Sequence, residues 1–170
     1  MDIDKIVQEV TKELGSGVKT SFNPVSNPIV INDSSAYSVD IISKLEHSLL
    51  NADAKREFIL EECAKARKYG FASVCVSPYY VADVAKALQG SSVKVGTAVG
   101  FPQAAMSSSA KIQDIKDCMY AGAHEIDVAV NILAVKSGDF REVRRELAEV
   151  VSMTRGKVLV KAVYDQGAYN

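Results

Sequence analysis

Two rhythms of apolar residues alternate along this chain from Lys44 onward. Short runs that are apolar at nearly every position are separated by longer stretches whose apolar residues recur every three or four positions, the periods of buried strands and of one-sided helices. Lys44 to Leu50 reads as a short first strand. Asp53 is placed to cap a helix whose inner face is Phe58, Ile59, Cys63 and Ala66, closed at Tyr69-Gly70. Ser73 to Ser77 is a second strand, stopped by Pro78. Val81, Val84, Ala85 and Leu88 predict a short helix ending at Gly90. Val93 to Phe101 is a third strand, closed by Pro102, and Ser107 to Ala121 a helix with Ile115, Cys118 and Met119 facing in. Gly122 ends that helix. In the fourth strand, Glu125 to Asn131, the β-branched Ile126, Val128 and Val130 alternate with Asp127, Ala129 and Asn131. A turn leads into a helix from Asp139 to Thr154, with Phe140, Val143, Leu147, Val150 and Val151 inward. Gly156 stops it, and Val158 to Val163 is the fifth strand.

Upstream, Ile3, Ile6, Val7, Val10 and Leu14 share one face of an amphipathic helix spanning residues 1–15. Residues 16–40, rich in Ser, Asn and Val and interrupted by Pro24 and Pro28, read as a polar linker. The folded domain is then 41–170. Its strand–helix alternation predicts an α/β fold, a parallel sheet covered by helices with right-handed crossovers. Either an open doubly wound sheet or a barrel satisfies this pattern. Polar residues recurring at or inside several strands favour the barrel, where strand ends converge on one mouth. No Gly-x-Gly-x-x-Gly follows the first strand, as a dinucleotide-binding sheet would require. A (β/α)8 barrel takes about 250 residues, so this TIM-barrel-like chain holds only about the first five βα units. An unclosed parallel sheet exposes an edge and an apolar interior. The expectation is a homo-oligomer, a partner that completes the barrel, or a fragment of a longer product.

Composition narrows the partners. With 48% hydrophobic and 24% charged residues and a formal net charge of -1, the chain is an ordinary globular sequence. It has no basic run to bind nucleic acid, no apolar stretch near the roughly 20 residues that span a bilayer, and no signal-peptide layout. Cys63, Cys75 and Cys118 sit inside apolar segments without metal-ligand spacing, and His47 and His124 form no cluster with them. They read as reduced core thiols of a cytoplasmic protein, with no metal and no cofactor expected.

The chemistry that stands out is an acid within an apolar strand. Asp127 is expensive to bury without a partner, so it is either a proton-transfer residue or a structural acid paired to Lys161. Lys161, between Val160 and Ala162, is either a desolvated amine of lowered pKa, fit to form a Schiff base, or an ion-pair partner of Asp127 or Asp165. His47, Ser48, Ser77 and Thr97 are candidate lining residues of a substrate pocket, with structural roles the alternative for each; Thr97 and Cys75 also suit the barrel interior.

These segments resemble deoxyribose-phosphate aldolase from about Lys44 to Asp165. The blocks that carry the resemblance are Leu45-Glu-His-Ser-Leu-Leu50, Tyr69-Gly-Phe-Ala-Ser-Val-Cys-Val-Ser-Pro78, Val93-Lys-Val-Gly-Thr-Ala-Val-Gly-Phe-Pro102, Gly122 to Asp139, and Lys157-Val-Leu-Val-Lys161, in the family's order and spacing. The resemblance implies a class I, Schiff-base (β/α)8 lyase of deoxyribonucleotide catabolism. Such an enzyme reversibly cleaves 2-deoxyribose 5-phosphate to glyceraldehyde 3-phosphate and acetaldehyde, so the substrates would be a small phosphosugar and an aldehyde. It also implies that Asp127 is the fourth-strand acid and Lys161 the fifth-strand lysine near the site. The family's imine-forming lysine lies on its sixth strand in a Lys-Thr-Ser-Thr-Gly motif, which does not occur in these 170 residues. At the mouth, the family's Asp-His-Thr is Glu46-His47-Ser48, the Asn before Pro78 is Ser77, and the Gly-x-Asn after the third strand is Ala104-Ala-Met106. The alternative reading is therefore a non-catalytic aldolase-like scaffold, an assembly or ligand-binding module. The N-terminal helix and linker are similar to the encapsulation peptides of bacterial microcompartment enzymes, which implies protein docking through that helix.

Overall fold

A computed structural model of the chain describes residues 42–164. The expected helix at 1–15, the linker at 16–40 and Asp165 lie outside the described residues. Five strands, β1 (Glu46–Leu49), β2 (Ser73–Val76), β3 (Lys94–Val99), β4 (Glu125–Ala129) and β5 (Leu159–Val163), form one sheet in chain order, every pair parallel. Between them run α1 (Arg56–Tyr69), a 3-10 turn (Pro78–Tyr80) leading into α2 (Val81–Ala87), α3 (Ser108–Tyr120), the short α4 (Ile132–Lys136) and α5 (Phe140–Thr154). The sheet curls strongly enough that Lys161 on β5 places its Nζ 2.6 Å from a Glu46 carboxylate oxygen on β1. Five βα units in sequential order around such a curl form the first part of a (β/α)8 barrel. No described helix is long and apolar enough to cross a membrane.

Strand parity divides the residues between two faces, because successive side chains point to opposite sides and register partners in a parallel pair point to the same side. Leu49, Val74, Val76, Val95, Val99, Ile126 and Val128 face the helices and are buried there against Ile59, Cys63, Val84, Ile115 and Val150. The other parity lines the concave face, with Glu46, Ser48, Ser73, Cys75, Gly96, Ala98, Glu125, Asp127, Ala129 and Lys161. Burial runs down toward the open side, where β5 leaves Leu159 55% and Val163 37% exposed.

Several local features depart from the sequence pattern. The residue capping α1 is Lys55, with no side-chain cap, and not Asp53. Phe58 and Phe140, expected inside, are exposed; Phe58 lies one position off the buried stripe of Ile59, Cys63 and Ala66, and Phe140 is the first residue of its helix. Asn131, expected to end the fourth strand, instead caps α4, its side-chain oxygen accepting from the N–H groups of Leu133 and Ala134. Gly122, φ +104°, makes the turn into β4, and a Cβ there would stand 3.0 Å from that of Ala85.

The largest departure is a fully buried ion pair. Lys111 on α3 and Glu146 on α5 are 0% and 2% exposed, with Nζ and Oε1 2.5 Å apart. The same ammonium donates to the Ala129 carbonyl at the end of β4, 2.8 Å away, and Ser108 Oγ donates to the other Glu146 oxygen at 2.6 Å. All charges and polar atoms are satisfied, so the pair is tolerated where either member alone would not be. Lys111→Ala or Glu146→Ala should each cost about 3–5 kcal/mol in urea unfolding, and Lys111→Met with Glu146→Leu together should recover most of that loss. A second prediction concerns Ala104, buried with φ 50°, a left-handed conformation unfavourable to a Cβ-bearing residue by about 1–2 kcal/mol. Ala104→Gly should raise the unfolding free energy by about 0.5–1 kcal/mol, visible as a higher urea midpoint at unchanged slope.

Candidate functional site

On the concave face the Lys161 ammonium lies among three carboxylates. Asp127 and Lys161 are register partners on β4 and β5, so their side chains project to the same side, and Lys161 Nζ lies 3.0 Å from Asp127 Oδ1. Glu125, two residues before Asp127 and thus on the same face, is 3.3 Å from that ammonium, and Glu46 reaches it from β1. The β-branched Ile126 and Val128 hold β4 extended and are buried on its opposite side, so Glu125 and Asp127 have little choice of direction.

This arrangement decides the protonation states. Partial burial acts to lower the pKa of Lys161, but hydrogen bonds to Glu46 and Asp127 and the charges of both carboxylates outweigh it and hold the amine above its ordinary value. For Asp127 burial dominates and raises the pKa above the ordinary 3.8; Lys161 pulls it back, while Glu46 and Glu125 push it up. At neutral pH Lys161 is therefore an ammonium, a hydrogen-bond donor without the free lone pair that attack on a carbonyl needs. Asp127 is the group suited to exchange a proton. Glu46, Cys75 and Asp127 also place one ligand atom each within 4.8 Å of one another. The Lys161 ammonium already takes the place of a cation there, and burial pushes the Cys75 thiol up to about 12, so it offers no thiolate.

Of the other candidate residues, Ser48 joins this face, its Oγ 3.5 Å from Glu46 Oε1, and is exposed. Ser77 follows β2 as the half-buried residue at the head of the 3-10 turn. His47 and Thr97 have the opposite parity and face the helices. His47 Nε2 is 2.7 Å from Glu62 of α1, and Thr97 Oγ1, fully buried, donates to the Val76 carbonyl at 2.9 Å. The structure thus brings Asp127, Lys161 and Ser48 to one face and sets His47 and Thr97 on the other. Glu46 and Glu125 had not been singled out. The signal for both was parity, since each lies two residues from a concave-face residue, Ser48 or Asp127. A cleft of about 440 Å³ lies elsewhere, lined by Ser108, Asn131, Glu142 and Arg145 among others, and includes none of the cluster.

Asp127, with its folded pKa raised, favours the folded state most while protonated; that contribution is complete below 3.8 and fades as the pH rises through the folded value. The raised Lys161 contributes fully below 10.5 and loses its contribution only as the pH climbs through its own folded value. Lys161→Met removes the one group that pulls Asp127 down. In that variant the ¹³C resonance of the Asp127 carboxyl should titrate at higher pH than in the parent chain, and stability should fall more steeply as pH rises above about 4; an unmoved titration would show the two groups uncoupled.

No protein-family model matches the chain. Curated relatives do. Deoxyribose-phosphate aldolase of Geobacillus sp. (strain WCH70) is 40% identical over 126 residues, 74% of this chain and 56% of that protein. The enzyme of the same name from Streptococcus pneumoniae serotype 19F (strain G54) is 43% identical over 121 residues, 71% of this chain and 54% of the relative. Among solved structures, the tetrameric deoxyribose phosphate aldolase of Aeropyrum pernix superposes with a TM-score of 0.66 at 25% identity, covering 73% of this chain and 52% of that one. The chain spans about half the length of the relatives it matches, and over that half the sequence likeness and the shared arc of parallel βα units agree in making it similar to deoxyribose-phosphate aldolases.

Proposed function

We propose that the chain supplies the proton-transfer half of a deoxyribose-phosphate aldolase site. The observation that carries this reading is the 3.0 Å contact of Asp127 with Lys161 on the concave face of adjacent strands. In the cleavage direction, an imine between the sugar carbonyl and a lysine withdraws the electron pair of the breaking carbon–carbon bond. The hydroxyl on the departing carbon must lose its proton as that bond breaks. Asp127 is the acceptor for it, and the Lys161 ammonium holds Asp127 as a carboxylate ready to receive it. The imine-forming lysine belongs outside these five strands, because Lys161 is protonated where it stands. The substrates on this reading are 2-deoxyribose 5-phosphate in one direction, and acetaldehyde with glyceraldehyde 3-phosphate in the other. Cys63, Cys75 and Cys118, buried and unpaired, suit a reducing cytoplasmic setting. A second reading, an aldolase-like scaffold without chemistry, is favoured by the same ammonium, which three carboxylates keep from acting as a nucleophile.

Borohydride trapping with acetaldehyde at neutral pH, followed by intact mass and peptide mapping, should leave Lys161 unmodified; an adduct at Lys161 that vanishes in Lys161→Met would show it to be the nucleophile after all. When the chain is co-produced with the part of the Geobacillus relative that lies beyond its fifth strand, 2-deoxyribose 5-phosphate cleavage should appear, and Asp127→Asn should lower kcat about 100-fold or more. A folded complex that cleaves nothing would favour the scaffold.

A further inference from the structure

We infer that Lys111 is a positioning residue for Asp127: its ammonium, delivered from the helix layer to the Ala129 carbonyl, holds the end of β4 so that the Asp127 carboxylate stays against Lys161. This deepens the proton-transfer reading above and rests on it for the importance of Asp127.

A buried ion pair is a poor source of stability, because desolvation of both groups cancels most of their attraction and an apolar pair of like volume serves as well. What an apolar pair lacks is direction. The fully buried Lys111 ammonium donates at 2.5 Å to Glu146 and at 2.8 Å to the Ala129 carbonyl. The place of that carbonyl matters. β3 pairs with β4 as far as Val99 opposite Val128, and the chain leaves the strand at Gly100, φ +75°. Ala129 is the next residue of β4, so Lys111 supplies a donor where the ladder with β3 has ended. Gly100 leaves room for it, since a Cβ there would stand 3.2 Å from Lys111 Cε. On the other edge β5 holds the same stretch, Val130 donating its N–H to the Val163 carbonyl. Ala129 lies two residues beyond Asp127 on the same face, about 7 Å along the strand. Held on both edges, β4 keeps one twist at Asp127, whose Oδ1 lies 3.0 Å from Lys161 Nζ. Held by β5 alone, the strand end can twist and that contact loosens.

The test is Lys111→Met with Glu146→Leu in the full chain, which leaves no unpaired charge behind and keeps most of the stability. The groups that face Asp127, namely Lys161, Glu46, Glu125 and Cys75, are all unchanged in it. The ¹³C resonance of the Asp127 carboxyl should titrate at higher pH than in the parent chain, the direction expected of Lys161→Met, because Lys161 no longer pulls it down. With Lys161→Met already present, the same two substitutions should have no further effect on that titration. Lys111→Met with Glu146→Gln, closer in shape to the parent pair, provides the same comparison where the first variant does not fold. An unmoved Asp127 titration in a folded variant would reduce the pair to a tie between helices and overturn the inference. A shift that persists undiminished without Lys161 would overturn it too. The readout does not depend on cleavage: a titration that moves as expected, in a chain whose assembled form cleaves no 2-deoxyribose 5-phosphate, would uphold the positioning role and overturn the catalytic reading instead.

Discussion

A single ammonium ties the concave face together. Lys161 joins β5 to its neighbour β4 and to β1 at the far end of the sheet, so one side chain reports the curvature of the whole arc. Because the face is partly open, this contact is neither a dry ion pair nor a solvated surface one. It fixes which groups are charged, and with them what chemistry the face can perform. An amine held by three carboxylates stabilises negative neighbours and donates hydrogen bonds. It does not attack.

The two faces of the sheet carry different kinds of chemistry, and parity separates them. On the helix side the buried polar side chains among the described residues are internally satisfied: Thr97 on the Val76 carbonyl, His47 on Glu62, Lys111 on Glu146 and Ala129. These contacts hold helices to strands. On the concave side the polar groups gather around Lys161 and face open space. That division agrees with the barrel family, where the interior serves the ligand and the outer shell serves stability.

Much of this was legible in the sequence. The order of strands and helices and the stops at Gly70 and Gly122 followed from periodicity. The pairing of Asp127 with Lys161 is one of two readings that the sequence leaves open for each residue; for Lys161 the other is an amine of lowered pKa, which the three carboxylates around it reverse. What escaped was the use of parity between neighbouring residues. Glu46 and His47 are adjacent in sequence and lie on opposite faces, and a list of polar residues near strand ends does not distinguish them. Lys111 escaped for another reason. A lysine within a helical stretch ordinarily lies in water, and only the approach of Glu146, 35 positions away, makes its burial possible. Phe58 and Phe140 err in the opposite sense: Phe58 sits beside a buried stripe narrower than the apolar one, and Phe140 lies at the very start of its helix.

The Lys111–Glu146 pair has a kinetic meaning as well as an energetic one. It spans β4 from one flanking helix to the other, and its charges are sheltered only when both helices have docked. An interaction that forms only once both helices have docked resists unfolding more than it hastens folding. The strand that carries Asp127 is therefore gripped from behind by a clasp that closes only when both helices are in place, and the persistence of the acid's position over time depends on a contact that never reaches the concave face.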